Sequence, residues 1–317
     1  MDYVYLDWMV FQYMKHSTVK DSINGVEFLN LVNKLKKKYR FPFSEGHLCD
    51  LAISFSPSNL ENVKSDLFFI NSLSSNYALG IDENENIIPI NKVDIDKLFN
   101  EIVMEVQGDL NINVSGDSHI IDMELLPQND LFRPFLEKNN GVLDSNVMKN
   151  LMEQIWDSMD DPDFYKKFRD QVSKLKEKFD EGNTLISTES SYFKGILPFL
   201  DFLLSENPDD FIDTFDDVIK SFCSINGRCC DKLKVGEKIE LAYSILDFNP
   251  KYREKKINKK NKPSNLRRDC KNLYFASQAK YYVTEDGATF KKSTFVCKAL
   301  SLRVKVLSMS EFMAKFC

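Results

Sequence analysis

Four aspartates stand where carboxylates can do chemistry. Asp7 ends the apolar run Val4-Tyr-Leu, and Asp50 lies six residues after Ser44 in Ser-Glu-Gly-His-Leu-Cys-Asp-Leu. Asp269 follows Arg267 and Arg268, and Asp286 follows Tyr281-Tyr-Val-Thr-Glu. Carboxylates gathered without compensating cations repel one another and raise each other's pKa, so a site made of them implies a bound divalent cation. Oxygen-only ligands suit Mg²⁺ or Mn²⁺, which keep waters and take phosphate oxygens as further ligands. Such an ion activates water and stabilises the leaving oxygen of a phosphodiester. Each acid also has an ordinary reading: Asp7 as a helix cap, Asp286 as a turn residue in Glu-Asp-Gly, Asp50 as part of a solvated helix face.

The elements that must position these acids lie at the two ends of the chain. Val4 to Asp7 reads as a short buried strand, followed by a helical stretch over Met9 to Met14. A helix over Val26 to Lys38 follows Gly25, with Phe28, Leu31, Val32 and Leu35 on its apolar face and cations at its end. Phe41 to Phe43 reads as a strand that Pro42 makes irregular or an edge. Ser44 then caps a helix to about Phe55. Leu48, Leu51, Ala52 and Phe55 share its buried face, while His47, Asp50 and Ser54 form a flanking polar strip. A second helix is expected over Leu60 to Leu79. At the far end, Leu266 to Ser277 reads as a helix with Asp269 in its first turn, then a strand over Tyr281 to Thr284 and a tight turn presenting Asp286. Phe295 to Leu300 is expected as a short helix and Leu302 to Leu307 as a strand. Ser308 with Glu311 makes a capping box for a last helix ending near Phe316.

Between these ends strand patterns are sparse. Amphipathic segments over Ile95 to Val106, Asn146 to Asp157, Asp163 to Phe179, Tyr192 to Leu204, Asp210 to Phe222 and Glu237 to Asp247 read as helices, with a connection over Gln107 to Ser118. The domain reading is therefore 1–79 with 265–317 as a discontinuous α/β domain, 80–249 as a helical insertion and 250–264 as a basic linker. Phe199, Phe202, Phe211 and Phe215 fall at helical steps and read as core.

Bulk properties narrow the function. The 317 residues carry a formal charge of −6, which argues against a wholesale nucleic-acid binder. Yet ten lysines and arginines crowd Lys251 to Lys271, against the candidate site. Seven cysteines without Cys-x-x-Cys spacing read as reduced thiols rather than a zinc site. The opening Met1-Asp2-Tyr3 lacks a secretory signal and no apolar run could span a bilayer, so a cytoplasmic protein with no membrane partner is expected.

The order strand-Asp7, then Ser44 with Asp50-Leu51, then Asp269 on a helix, then Tyr-Val-Thr-Glu-Asp286, resembles the PIN-domain nucleases, and more narrowly the bacterial PIN-like proteins. The likeness covers about Met1 to Leu79 and Asn265 to Cys317. It implies a PIN-like α/β fold, a parallel sheet flanked by helices, with a mainly α-helical inserted subdomain. It also implies Asp7, Asp50, Asp269 and Asp286 as catalytic, metal-binding acids for Mg²⁺ or Mn²⁺, in a metal-dependent endoribonuclease cutting single-stranded RNA. Glu45, His47, Asn272 and Thr284 would stand behind those acids. Arg267 and Arg268 oppose the dipole of a helix's first turn and so call for an anion; with Lys271 they would bind the nucleic acid. Family members of this kind often serve as toxins or phage-defence effectors, which implies an antitoxin-like regulatory partner and allows a homo-oligomer. Members often have histidine three residues after the third acid, where this chain has Asn272. That departure motivates a catalytically inactive binding or scaffold protein as the alternative, beside a DNA-directed nuclease of the same fold.

Overall fold

The computed structural model describes residues 2–20, 23–107, 119–120, 123–124, 133–143, 164–180, 190–225, 229–252 and 263–316. The chain forms two compact units: residues 1–107, 169–255 and 264–317 make one, and 108–168 with 256–263 the other.

The larger unit opens with the fully buried strand β1 (Val4–Leu6), which Asp7 ends by capping α1 (Trp8–Lys15). Two short strands, β2 (Val19–Lys20) and β3 (Ile23–Asn24), lead to α2 (Gly25–Leu35), capped by the Asn24 side chain. β4 (Phe43–Ser44) begins only after Pro42, which has no N–H to give a ladder. Ser44 then caps α3 (Glu45–Ser54). The helix expected over Leu60 to Leu79 stops early: α4 is Leu60–Ser74, because Ser75 and Asn76 both turn left-handed, at φ 56° and 58°. The chain re-emerges as β5 (Tyr77–Ile81), which the helical reading missed. It pairs antiparallel with β6 (Ile87–Asn91) across a turn in which Asp82 accepts from the Asn84 and Asn86 N–H groups. Then comes α5 (Ile95–Gln107).

In the smaller unit, β7 (His119–Ile120) pairs antiparallel with β8 (Val142–Leu143), and α6 (Arg133–Lys138) lies between them in the chain. Next in sequence are α7 (Phe164–Asp180), α8 (Ser190–Leu204), a 3₁₀ segment at Pro208–Thr214, α9 (Phe215–Ile225) and α10 (Val235–Asp247). The chain ends with α11 (Pro263–Ala276), β9 (Tyr281–Val283), α12 (Gly287–Ala299), β10 (Lys305–Leu307) and α13 (Met309–Phe316). The capping box expected at Ser308 is formed: its N–H donates to Glu311, whose own N–H donates to the Ser308 hydroxyl. The expected helix over 146–157 lies outside the described residues, as do all but Gln107 of the connection over 107–118 and residues 253–262 of the basic linker over 250–264.

The protein is α/β. β9 pairs in parallel with both β1 and β10, and β4 pairs in parallel with β5. A parallel bridge from Tyr3 to Arg40, with the Val4 N–H 2.9 Å from the Arg40 carbonyl, links the two sheets. The bridge thus sets the segment before β4 beside the segment before β1, with β9 on the other side of β1.

The larger unit takes in much of the stretch expected as an insertion. Phe55 beside α3 meets Phe99 of α5 edge to face at 5.7 Å, so α5 shares the core that α3 builds. Phe202 of α8 and Phe215 of α9 both reach Phe295 of α12, at 6.2 and 4.9 Å. The unit set apart by the fold thus covers 108–168 and 256–263 rather than 80–249. Amphipathic periodicity marks a helix but not the core it serves, which is why the border was drawn elsewhere.

Candidate functional site

The Thr284 hydroxyl bonds both to the Asp7 carboxylate and to the backbone N–H of Asp286. Asp7 leaves the carboxyl end of β1, its N–H donating to the Val283 carbonyl at 2.8 Å. Thr284, one residue past β9, donates its hydroxyl to one Asp7 oxygen at 2.6 Å, and the other oxygen accepts the Trp8 N–H at 2.7 Å. The same Thr284 hydroxyl accepts the Asp286 N–H at 3.2 Å. Asp286 sits on no isolated turn. It is the N-cap of α12, accepting the Thr289 N–H at 2.7 Å, and that helix spans Gly287–Ala299 rather than a short piece after Phe295.

The other two acids lie within electrostatic reach. Burial pushes the Asp7 carboxyl up to about 7, and the charges of Asp50 and Asp286 push in the same direction. Burial raises Asp269 well above the usual carboxylate range, with Asp7, Asp50 and Asp286 adding to the shift and Lys292 opposing it. Asp269 stands in the second turn of α11, not the first, because the helix starts at Pro263. Asp50 is half-buried on α3. All four acids belong to the larger unit; Asp269 lies within the fields of the other three, and Asp7 within those of Asp50 and Asp286.

Behind the acids lies a buried polar layer. His47 is fully enclosed: its Nδ1 accepts the Ser44 N–H at 3.0 Å and its Nε2 donates to the Leu6 carbonyl at 2.6 Å. Burial lowers its pKa to about 4, so it is a neutral strut between α3 and β1. Asn272 is also buried, its Oδ1 accepting the Tyr5 hydroxyl at 2.8 Å; Tyr5 in turn lies 2.6 Å from the Ser44 hydroxyl. Since Tyr5 spends its proton on Asn272, Ser44 donates to Tyr5. Gly46 is required there, because a Cβ would stand 2.1 Å from the Asn272 oxygen. Asn272 therefore ties α11 to β1 and α3.

The expected nucleic-acid residues fare differently. Lys271 is engaged by Glu45 in a half-exposed ion pair, so neither stands open to a ligand in this arrangement. Arg267 and Arg268 lie on α11 with side chains outside the described set. Three residues that sequence reading passed over come close to the acids. Lys292, 2 % exposed, is ion-paired to Asp247 at 2.6 Å and acts on Asp269. Tyr243 bonds to Ser293 at 2.8 Å. Tyr282 is fully buried, its hydroxyl has no hydrogen-bond partner among the described residues, and it lies within the fields of Asp7 and Asp269. A lysine or tyrosine inside an apolar helix or strand carries no spacing signal that marks it as polar core.

Carboxylate oxygens are the right donors for a hard divalent ion, and a buried hydroxyl without a partner beside them marks a place that is polar and incompletely satisfied. Among the described residues, no three acidic, histidine or cysteine side chains are close enough together to form a ligand set. Mg²⁺ tolerates that, since it commonly uses one or two carboxylates and keeps its waters. No described helix is long and apolar enough to cross a membrane. Compared with known proteins, the chain matches no family model, no curated protein and no solved structure.

Proposed function

We propose that the protein is a metal-dependent nuclease of PIN-like fold, cutting phosphodiester bonds of single-stranded nucleic acid, RNA in preference to DNA. The observation that carries this reading is the buried Asp7 carboxylate at the end of β1, held by the Thr284 hydroxyl and within the fields of Asp50 and Asp286, with Asp269 in turn within the fields of all three. Mg²⁺ or Mn²⁺ would be held by one or two carboxylates from the set Asp7, Asp50, Asp269 and Asp286, the others acting on it through charge and bound water. When bound, the ion supplies charge for the phosphate and a nucleophilic water. Thr284 fixes the Asp7 carboxylate, Trp8 fixes its second oxygen, and Lys292 offsets charge at Asp269. The parallel β1-β9-β10 sheet and the parallel β4–β5 pair are compatible with the proposed fold.

The test is direct. The wild-type chain with Mn²⁺ should cleave labelled single-stranded RNA, and Asp7→Asn or Asp286→Asn should slow cleavage at least about a hundredfold, as expected for loss of a group that stabilises transition-state charge. Undiminished cleavage in both variants would sink the assignment. The second reading, a binding protein without turnover, draws on the Glu45–Lys271 pair and the structural use of Asn272. It predicts that calorimetric titration with Mn²⁺ gives no heat.

A further inference from the structure

We infer that the cleft between α12 and the Pro208–Thr214 segment is a phosphate subsite, which takes the backbone of a single-stranded nucleic acid leading away from Asp286. This rests on the nuclease reading and adds the strand's path. The cleft encloses 420 Å³, and its walls carry Lys251, Lys291 and Lys298 against one carboxylate, Asp209. Asp209 is already satisfied: one oxygen accepts Lys251 Nζ at 2.5 Å and the other the Tyr252 hydroxyl. Among the described residues neither Lys291 nor Lys298 has an ion-pair partner. Both amines are exposed.

A second observation points to an oxyanion. Thr294 lines the same cleft, and its hydroxyl is buried with no hydrogen-bond partner among the described residues. A buried donor without an acceptor, on the same helix stripe as two exposed lysines, would be completed by a phosphate oxygen. Lys291, Thr294 and Lys298 follow one stripe of α12 at steps of three and four. Asp286 caps that same helix, so at 1.5 Å per residue Lys291 lies about 8 Å and Lys298 about 18 Å along the axis from it. Phe290, also on the cleft wall, offers a ring on which a base can stack. Together these make a basic track with an aromatic step, starting beside the acids.

The experiment uses the whole 317-residue chain carrying Asp7→Asn, to slow cleavage, without added Mn²⁺, and fluorescence anisotropy of labelled oligouridine at several salt concentrations. Adding Lys291→Gln and Lys298→Gln should weaken binding about tenfold near 0.1 M salt and flatten the salt slope by about 1.4, for two lost phosphate contacts on a single strand. The same change at Lys280 and Lys305, exposed at the amino ends of β9 and β10, should leave both quantities unchanged. Equal losses from the two pairs, no loss from the first, or no binding at all would overturn the inference. So would displacement of the oligonucleotide by inorganic phosphate at matched phosphate concentration, which would make this a site for the free ion. RNA binding through the two lysines in a chain whose wild type never cuts would leave the subsite standing and remove the nuclease reading. Cleavage with an unaltered double variant would do the reverse.

Discussion

The two faces of the β1-β9-β10 sheet differ in kind. On one, Leu6, Tyr281 and Val283 join Phe28 and Phe312 in an apolar cluster, with the rings of Phe28 and Phe312 5.6 Å apart and those of Tyr281 and Phe312 5.7 Å apart. On the other, Tyr5 and Tyr282 stand side by side in register, and the alternation carries on into Asp7 and Thr284. The first face gains stability from every ring it buries. The second buries hydroxyls, an imidazole, an amide and carboxylates, which cost free energy unless each finds a partner. One period-two pattern thus divides the labour: one side holds the fold, and the other holds a strained charge arrangement against it.

The largest effect expected from this contrast is on the apolar side. Phe312→Ala should cost about 3–5 kcal/mol in urea denaturation, the usual price of an emptied aromatic site. The loss should be the same at pH 5 and pH 8, and with or without Mn²⁺, because the rings that pack on it, Phe28, Tyr281 and Phe316, do not change charge between those pH values. A loss that shifted with metal would show that the two faces are coupled and break the division.

On the polar side the sign reverses. Asp7 has an ordinary pKa of 3.8 and a folded value of about 7, so between those values the native chain holds a proton that the unfolded chain has released. Stability must therefore fall as pH rises from about 4 to about 7, by up to about 4 kcal/mol from this group. Below pH 4 both states are protonated and the contribution vanishes. Asp7→Asn should abolish most of that slope and leave the metal-free protein more stable than wild type at pH 8, read by thermal melts across the pH range. An unchanged slope would place the strain elsewhere.

How much of this was legible beforehand follows from what each signal encodes. Asp7 after an apolar run, the Ser44 cap, the Ser308 box and the strand at Tyr281 are local patterns, and the chain forms each of them. β5 was hidden because Tyr77–Ile81 continues an apolar run out of α4, and the break depends on two left-handed residues, Ser75 and Asn76, that need not be glycine. Asp269 was placed a turn too early, since Pro263 sat in what read as linker. Lys292 and Asp247 lie 45 positions apart, and nothing local to either announces a buried ion pair. The acids could be read as candidates from sequence; that Thr284 fixes the Asp7 carboxylate could not, because a hydroxyl's partner is set by strand register.

The smallest effect gives the sharpest test of the polar face. Tyr282 and Tyr5 are register partners, their rings 5.8 Å apart, yet only Tyr5 has its hydroxyl bonded. A buried hydroxyl without a partner costs about 1–3 kcal/mol, and replacing it with hydrogen keeps the ring's packing. Tyr282→Phe should therefore raise metal-free stability by about 1 kcal/mol in urea denaturation, whereas Tyr5→Phe, which strands the Asn272 oxygen and the Ser44 hydroxyl, should lower it by a similar amount. If the two substitutions act with the same sign, the hydroxyls of this face are equivalent, and Tyr282 is not the incompletely satisfied group beside Asp7 and Asp269.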